Sequence, residues 1–304
     1  MVELICLGEP MVEFNQRPDG LFQQGFGGDT SNCAVAAARQ GARVGYVTRL
    51  GTDLFGDRLL ALWHSEGIDT ALVQRDPEHP TAVYCVTHDR AGHHFSYCRK
   101  GSAASRMKPS MLRADYIAAA RYLHVSGISE AISPQASACV RQAVELAVRS
   151  GVRVSYDTNL RLALWPLDKA KSVIHETMRR CQVALPSYDD AVALTGLRQP
   201  DAIIDFYLAL GADTVALKMG AQGAIVAAGG RRRVMAGINT AAVDCNAAGD
   251  TFAGVFLAAL LQGSDPFSAG ARANRAAAIS TAAPGAVASI PGRDRVAAAL
   301  PAAG

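Results

Sequence analysis

The sequence predicts an α/β protein with a mainly parallel sheet covered by helices on both faces. The first observation behind this prediction is that strand-like apolar runs alternate with helical patterns through most of the 304 residues, as in folds built from β-α-β units. The second is a hydrophobic fraction of 50%, which is ample for a large buried core. The third is one short region that breaks the alternation and has the pattern of an antiparallel hairpin.

The elements of the main sheet follow in order along the chain. The strand candidates are residues 2–7, 42–50, 120–125, 152–156, 183–185 and 214–218. The helix candidates are residues 31–40, 134–149 and 168–180. A further helix is predicted from Thr251, because the apolar residues after it recur at helical spacing, and the Ala-rich tail after Arg272 is predicted as helix and loop.

Two segments interrupt this order and predict a small sheet that projects as a lid. Residues 81–87 and 93–99 flank the turn-forming residues 89–92 and are predicted as an antiparallel hairpin. Residues 14–28 are rich in Gly and Gln. We expect one domain over residues 1–304, with lid segments at about residues 10–30 and 80–100, because the sequence contains no repeat and no Pro- or Ser-rich linker.

Composition argues against several classes of partner. The net charge is only +3, from 30 basic and 27 acidic residues, which gives little support for a nucleic-acid or membrane partner. The densest basic run, residues 231–233, is predicted as a solvated turn between two short strands. No signal-peptide pattern or membrane span is indicated, and seven scattered cysteines fit a reducing compartment, so we expect a cytoplasmic protein.

The most informative run is residues 244–254, where small residues and a carboxylate stand at the start of a predicted helix. The backbone N–H groups of Ala247, Ala248, Gly249 and Asp250 would be the unpaired donors of its first turn, and such a terminus attracts phosphate. Asp250 could accept a proton from a nearby hydroxyl. Taken alone, an N-capping aspartate on a core helix is the favoured alternative.

Polar residues also cluster where other elements begin or end. Asp157, Asn159 and Arg161 follow a strand and would point the same way at the carboxyl end of the sheet if the chain stays extended, although a polar loop is equally expected. Gly28 in a paired-glycine turn would let a ligand approach the backbone, and Asn32 could bind a hydroxyl. An ordinary capped turn is the alternative there.

The hairpin supplies a second cluster. Tyr97 and Arg99 share one face of a strand by its period of two, and Tyr84 could lie across from them. Two phenols and a guanidinium suit a hydroxylated anion, while Lys100 would face the other way. The alternative is an ordinary exposed sheet face.

Other motifs give weaker signals. His88, His93 and His94 straddle the predicted turn without a carboxylate or Cys to complete a metal set, so a metal site is not predicted there. The glycine-rich segment 218–223 follows a strand and suits a nucleotide. Neither the P-loop nor the dinucleotide-binding fingerprint occurs in the sequence.

Taken together, these motifs resemble one family over nearly the whole chain. Gly27-Gly28 with Asn32, Asp157-x-Asn159-x-Arg161, Lys218-x-Gly220-x-x-Gly223 and Ala247-Ala-Gly249-Asp250 occur in the order found in the ribokinase-like, or phosphofructokinase-B type, carbohydrate kinases. Within that family, residues 97–103, 123–128 and 157–165 most resemble the kinases of 2-keto-3-deoxygluconate.

The resemblance implies a three-layer α/β/α sandwich with a small β lid, and transfer of phosphate from ATP, with Mg²⁺, to the terminal hydroxyl of that sugar acid. Asp250 would be the base, and the amides of residues 247–250 would stabilise the transferred phosphoryl. The implied sugar-site residues are Gly28, Asn32, Tyr84, Tyr97, Arg99, Ile128, Arg161 and Asp250. The implied nucleotide-site residues are Asn159, Arg161, Lys218, Gly220, Ala221, Gly223, Gly249 and Asn274.

Several points stay open at this stage. Ala247 stands where the family usually has Gly, and Ser187 and Asp190 replace an Asn-x-x-Glu pair, so the magnesium ligands are unknown. Dependence on a monovalent cation is undecided, and we expect a homo-oligomer, dimeric or larger, assembled through the lid. The alternatives are a fructokinase or ribokinase type of sugar kinase, a catalytically silent sugar-binding regulator and, with least support, an NAD-dependent oxidoreductase.

Overall fold

The structure is a computed structural model that describes residues 1–89 and 92–298; the side chains of His88 and His93 lie outside this description. Its strands are β1 (Leu4–Leu7), β2 (Met11–Gln16), β3 (Phe22–Gly27), β4 (Val44–Gly51), β5 (Asp69–Asp76), β6 (Val83–Asp89), β7 (Gly92–Cys98), β8 (Tyr122–Ser126), β9 (Arg153–Asp157), β10 (Val183–Ala184), β11 (Thr214–Lys218), β12 (Gly223–Ala228) and β13 (Arg231–Ala236).

The helices alternate with these strands. They are α1 (Asp29–Arg39), α2 (Leu54–Ser65), α3 (Ala114–Ala118), α4 (Gly127–Ala131), α5 (Pro134–Arg149), α6 (Leu167–Met178), α7 (Tyr188–Thr195), α8 (Pro200–Leu210), α9 (Ala248–Leu261), α10 (Pro266–Ser280), α11 (Ala286–Ser289) and α12 (Arg293–Ala298). Three short 3₁₀ turns lie at Ala104–Arg106, Pro109–Met111 and Gly220–Gln222. Within the described residues, no helix is long and apolar enough to cross a membrane.

Nine strands form the main sheet in the order β13-β12-β11-β10-β9-β8-β1-β4-β5. Neighbours from β11 to β5 are parallel, whereas β12 and β13 add an antiparallel edge. Alternate residues of β1 face opposite sides, so that Leu4 and Cys6 join one apolar core and Ile5 and Leu7 the other. The sheet is therefore buried on both faces, which confirms the predicted α/β class.

The second sheet has four strands in the order β3-β2-β6-β7, and we call it the lid. Its two segments match the predicted ones, and Tyr84 lies directly across from Tyr97 in the β6–β7 pair, as expected. Residues 90 and 91 of the predicted turn lie outside the described residues. Large side chains of the lid are exposed, among them Leu21 at 64% and Phe22 at 47%. Assembly through this face stays a prediction, as do the single domain over residues 1–304, the cytoplasmic location and the absence of a nucleic-acid partner.

One sequence prediction about the sheet is wrong. The basic run Arg231–Arg233 was expected in a turn, but it begins the edge strand β13. The turn instead consists of Gly229 and Gly230, whose φ angles of 55° and 71° favour glycine. Because arginines line an edge strand, they discourage pairing with a strand of another molecule.

Close packing of α1 on α9 places two of the predicted site residues together. Gly254 allows this approach, because a Cβ built there would lie 2.3 Å from the carbonyl oxygen of Cys33 and 2.7 Å from Cβ of Ala36. One turn before Gly254, α9 carries Asp250, and one residue before Cys33, α1 carries Asn32. A small residue at the helix crossing therefore sets the distance between two polar side chains.

We expect Gly254→Ala to force α1 and α9 apart, because backbone atoms of α1 occupy the space that the methyl group needs. The substitution should lower the free energy of unfolding by about 1–3 kcal/mol, the usual cost of overpacking, and should lower kinase activity as well. Denaturant unfolding and a kinase assay would measure both. The matched control is Gly292→Ala, where a Cβ has no atom within 4 Å. Unchanged stability of Gly254→Ala would contradict this account of the packing.

Candidate active site

A cavity of about 550 Å³ lies between the carboxyl ends of the main-sheet strands and the lid. Proteins with parallel sheets of this kind bind their ligands at this edge. Most of the site residues predicted from the sequence line it. They are Gly28, Asn32, Tyr84, Tyr97, Arg99, Ile128, Asn159, Arg161, Lys218, Ala247, Gly249 and Asp250.

Asp250 lies in the first turn of α9 and faces this cavity. Nδ2 of Asn32 donates a hydrogen bond of 2.8 Å to its Oδ2. Burial, followed by the neighbouring carboxylate of Asp29, raises the pKa of Asp250 to about 7. A carboxylate with this pKa can accept a proton near neutral pH, which is the property that a general base requires.

Two further carboxylates stand beside Asp250. Asp29 is buried, and its Oδ2 accepts a hydrogen bond of 3.1 Å from Nδ2 of Asn159. Asp157 forms an ion pair with Lys218. Asp29 was not among the predicted site residues, although its position directly after the paired glycines, at the start of α1, was the signal that could have identified it.

The backbone at the start of α9 has the form of an anion-binding turn. Ala247 has a left-handed φ of 62°, unusual for a residue other than Gly. In the described part of the chain, the N–H groups of Gly249 and Asp250 have no backbone acceptor, as expected for the first turn of a helix. Lys218 lies close by, since its Nζ would be 3.5 Å from a Cβ at Gly249. We call residues 244–250 the anion-hole turn.

The chain between Asp157 and Arg161 does not continue as an extended strand. The expectation that the three polar side chains point the same way depended on such a strand. Strand β9 ends at Asp157, and Asn159 has a φ of 30°. All three residues nevertheless line the cavity. The turn brings them there because Asp157 is held by Lys218, Asn159 by Asp29, and the Arg161 side chain folds back to donate to the carbonyl of Leu160 at 2.9 Å.

Arg99 is less available than the sequence suggested. Its guanidinium forms an ion pair with Glu9, a fully buried carboxylate that also accepts a hydrogen bond of 2.7 Å from Oγ of Ser102. Burial raises the pKa of Glu9, although Arg99 opposes this shift. Glu9 lies two residues after the end of β1, and this position near a strand end was the signal that could have identified it.

The expectation that Lys100 faces away is wrong, because Lys100 lines the same cavity as Arg99. The strand ends at Cys98, so the alternation of faces no longer applies two residues later. Both Lys100 and Arg161 are exposed, and in residues 1–89 and 92–298 neither forms an ion pair with a carboxylate. They are the cations of the cavity whose charge is not already balanced by such a pair.

The two tyrosines of the lid differ in their surroundings. Tyr84 is buried, and its hydroxyl donates to Oε2 of Glu13, which also accepts 2.9 Å from Nδ2 of Asn246. Tyr97 is 47% exposed, and the guanidinium carbon of Arg99 lies 5.5 Å from the centre of its ring. The hydroxyl of Tyr84 therefore has a protein acceptor, whereas the ring of Tyr97 covers the cavity from the solvent side.

The residues predicted for the nucleotide fall into three groups, of which the first, Asn159, Arg161, Lys218 and Gly249, lines the main cavity. Gly220 lines a neighbouring cavity of about 610 Å³, which Lys218 shares with the main cavity. Ala221, Gly223 and Asn274 line neither. A Cβ at Gly223 would lie 2.0 Å from the carbonyl oxygen of Met235, and Nδ2 of Asn274 donates 2.8 Å to the carbonyl of Ala236. These residues hold the end of β13, and Ala248 likewise lies outside both cavities.

No ready-made metal centre occurs in the described residues, where no group of three or more His, Cys, Asp or Glu side chains could hold an ion. Asp190 is a candidate by its position in the sequence, although it lines neither cavity. Its Oδ2 accepts 3.0 Å from the backbone N–H of Leu160, and burial raises its pKa. His94 pairs with Asp89 across the hairpin and contributes to no such group.

Comparisons with known proteins identify relatives of this chain in sequence and in fold. The 2-dehydro-3-deoxygluconokinase of Thermoproteus tenax is 34% identical over 282 residues, which cover 88% of this chain and 84% of the relative. A PfkB protein from Polaromonas sp. JS666 superposes with a TM-score of 0.89 at 32% identity, over 99% of this chain and 100% of that one. A protein reported as a ribokinase II from E. coli, solved with ATP and Mg²⁺, has a TM-score of 0.90 at 21% identity and covers 98% of each chain, which shows a shared fold.

The family resemblance drawn from the motifs is confirmed by a match to the pfkB family of carbohydrate kinases over residues 1–293. That match spans both sheets, the anion-hole turn and the candidate base. The chain therefore belongs to the pfkB family of carbohydrate kinases and is a sugar kinase.

Proposed function

We propose that this kinase transfers the γ-phosphoryl group of ATP to the terminal hydroxyl of 2-keto-3-deoxygluconate, which yields 2-keto-3-deoxy-6-phosphogluconate and ADP. The observation that carries the proposal is the meeting, in one cavity, of Asp250, the N–H groups at the start of α9 and two cations, Lys100 and Arg161, that form no ion pair within the described residues. The base and the N–H groups suit phosphoryl transfer, and the cations suit an acidic acceptor.

In the proposed reaction, Asp250 accepts the proton of the sugar hydroxyl as that oxygen forms a bond to the γ-phosphorus. The bond from phosphorus to the β-phosphate oxygen breaks, and ADP leaves. The N–H groups of Gly249 and Asp250, with Lys218 beside them, would stabilise the negative charge on the transferred group. Asn32 holds the carboxylate of Asp250 toward the cavity through its hydrogen bond.

The described residues fit a nucleotide better than they fit a resident metal ion. The N–H groups at the start of α9 and the amine of Lys218 are donors for phosphate oxygens. Mg²⁺ prefers phosphate oxygens and water with one or two carboxylates, so it would enter with the nucleotide, and Asp190 is the carboxylate that we assign nearest to it. When bound, it would neutralise phosphate charge. Dependence on a monovalent cation stays a prediction.

Asp250→Asn tests the base directly. The amide has nearly the shape of the carboxylate but cannot accept the proton, so we expect kcat to fall roughly 10²- to 10⁴-fold, while the affinity for ATP changes little. Coupled ADP-release kinetics and calorimetric titration with an ATP analogue would measure the two quantities. Asp168→Asn, at an exposed position in α6, is the control. Near-normal turnover of Asp250→Asn would remove this residue from its role.

The raised pKa of Asp250 predicts a pH dependence. Only the ionised carboxylate accepts a proton, and its pKa is about 7, so kcat/KM should rise as pH increases through 7 and level off above. Rates between pH 5.5 and 9 would show this limb. The residual rate of Asp250→Asn, measured at the same ATP concentration, should not show this rise with pH. A limb of equal size in both proteins would assign the titration to another group.

The choice between acidic and neutral sugars is tested at Lys100. Lys100→Met should lower kcat/KM for 2-keto-3-deoxygluconate roughly 10- to 100-fold, because a charge-assisted hydrogen bond is worth about 1.5–3 kcal/mol. Activity on fructose, a neutral ketose, should change much less. Lys108→Met, at an exposed position away from the cavity, is the control.

Arg99→Leu distinguishes two roles of Arg99, which are binding of the substrate carboxylate and support of the lid. Because Arg99 is paired with Glu9, we expect its loss to reduce activity on acidic and neutral sugars alike. A loss confined to the acidic sugar would assign the carboxylate to Arg99. If the unmodified enzyme itself prefers a neutral ketose, the fructokinase or ribokinase alternative replaces the assignment to 2-keto-3-deoxygluconate.

A further inference from the structure

Glu13 is a buried carboxylate in lid strand β2, and it was not singled out from the sequence. Only 1% of its surface is exposed. It does not line the catalytic cavity but a second cavity of about 660 Å³ on the outer side, between the lid and the segments around Asp244 and Gly285. A buried acid in this place requires hydrogen-bond donors, and their identity indicates what it does.

Two of the donors to Glu13 come from the active site, and its carboxylate also bonds the backbone of Ala286 and the side chain of Asn15. The hydroxyl of Tyr84 and Nδ2 of Asn246 both donate to the same oxygen, Oε2, and lie 3.2 Å from each other. Tyr84 belongs to lid strand β6 and lines the catalytic cavity. Asn246 lies in the anion-hole turn and immediately precedes Ala247, whose left-handed backbone leads into α9. One carboxylate oxygen thus connects the lid to the phosphate-binding backbone.

The other attachments of the anion-hole turn lead away from the lid. Asp244 accepts from the backbone N–H of Asn246 at 2.8 Å and from that of Gly285 at 2.9 Å. The carbonyl of Thr281, directly after α10, accepts from Val243 at 2.7 Å. These bonds fix the turn to the C-terminal helices. Of the hydrogen bonds described for the turn's side chains, those of Asn246 are the ones that reach the lid.

We propose that Glu13 is a positioning residue that couples closure of the lid over the sugar to the placement of the N–H groups of Gly249 and Asp250. The lid and the turn share one acceptor, so a sugar that draws Tyr84 inward also fixes Asn246 and the backbone after it. This inference rests on the proposed kinase reaction, but it does not depend on which sugar is phosphorylated. It implies that the sugar tightens nucleotide binding, and by linkage the reverse.

Glu13→Gln tests the coupling with little change in volume. One of the two acceptor oxygens becomes an amino group, which cannot accept from Tyr84 or Asn246. We expect a saturating sugar to tighten binding of a nonhydrolysable ATP analogue at least fivefold in the parent and less than twofold in the variant. The kcat should fall roughly tenfold, while the affinity for the analogue without sugar stays within twofold. Calorimetric titration with and without sugar gives these values.

The sugar used is the one that the parent phosphorylates fastest in a panel of sugar acids and neutral sugars, so an error in the substrate assignment leaves this test intact. Gln23→Ala, exposed on lid strand β3, is the control and should keep the coupling. Asn246→Ala should lose it as Glu13→Gln does, and the double variant should lose little more. The proposal is overturned if the effects of Glu13→Gln and Asn246→Ala multiply in the double variant. It is also overturned if the sugar does not tighten nucleotide binding in the parent, or if it still does so in Glu13→Gln. If Glu13→Gln does not fold, Asn246→Ala with its own coupling decides the question.

Discussion

The contact between α1 and α9 is the constraint on which the site depends. Gly254 has no side chain to separate the helices, so they pack closely. The same crossing places Nδ2 of Asn32 2.8 Å from Oδ2 of Asp250. A hydrogen bond of this length cannot tolerate a helix shift of even one ångström. The precision of the site therefore originates in the apolar packing beneath it.

The charge that the cavity offers to a ligand depends on which of its ionised side chains already form ion pairs with each other. Asp157 neutralises Lys218, and Glu9 neutralises Arg99, both at buried positions where an unpaired ion would be costly. Burial and then the nearby carboxylate of Asp29 disfavour the charge of Asp250, so its pKa rises, although Lys218 opposes this shift. The same arrangement leaves the exposed Lys100 and Arg161 free to meet a ligand.

The sequence predicted the fold class and most of the cavity, because both depend on local patterns. Apolar alternation located the strands, and the small-residue run before Thr251 located the start of α9 within three residues. It did not reveal Glu9, Asp29 or Glu13, whose partners in the site lie 71 to 233 residues away in the chain. Period-two alternation says nothing about a residue beyond the end of a strand, which explains the error at Lys100.

The parallel pairing of β2 with β6 has a consequence for how the chain folds. Their pairing begins with Val12 opposite Val83, and the intervening chain holds β3, α1, β4, α2 and β5. Closing so long a loop is entropically unfavourable until that chain has condensed onto the main sheet. We therefore expect the lid to form late in folding. A truncated or newly synthesised chain that has not completed β6 would expose the edge of β2, where a chaperone or a second chain could add a strand.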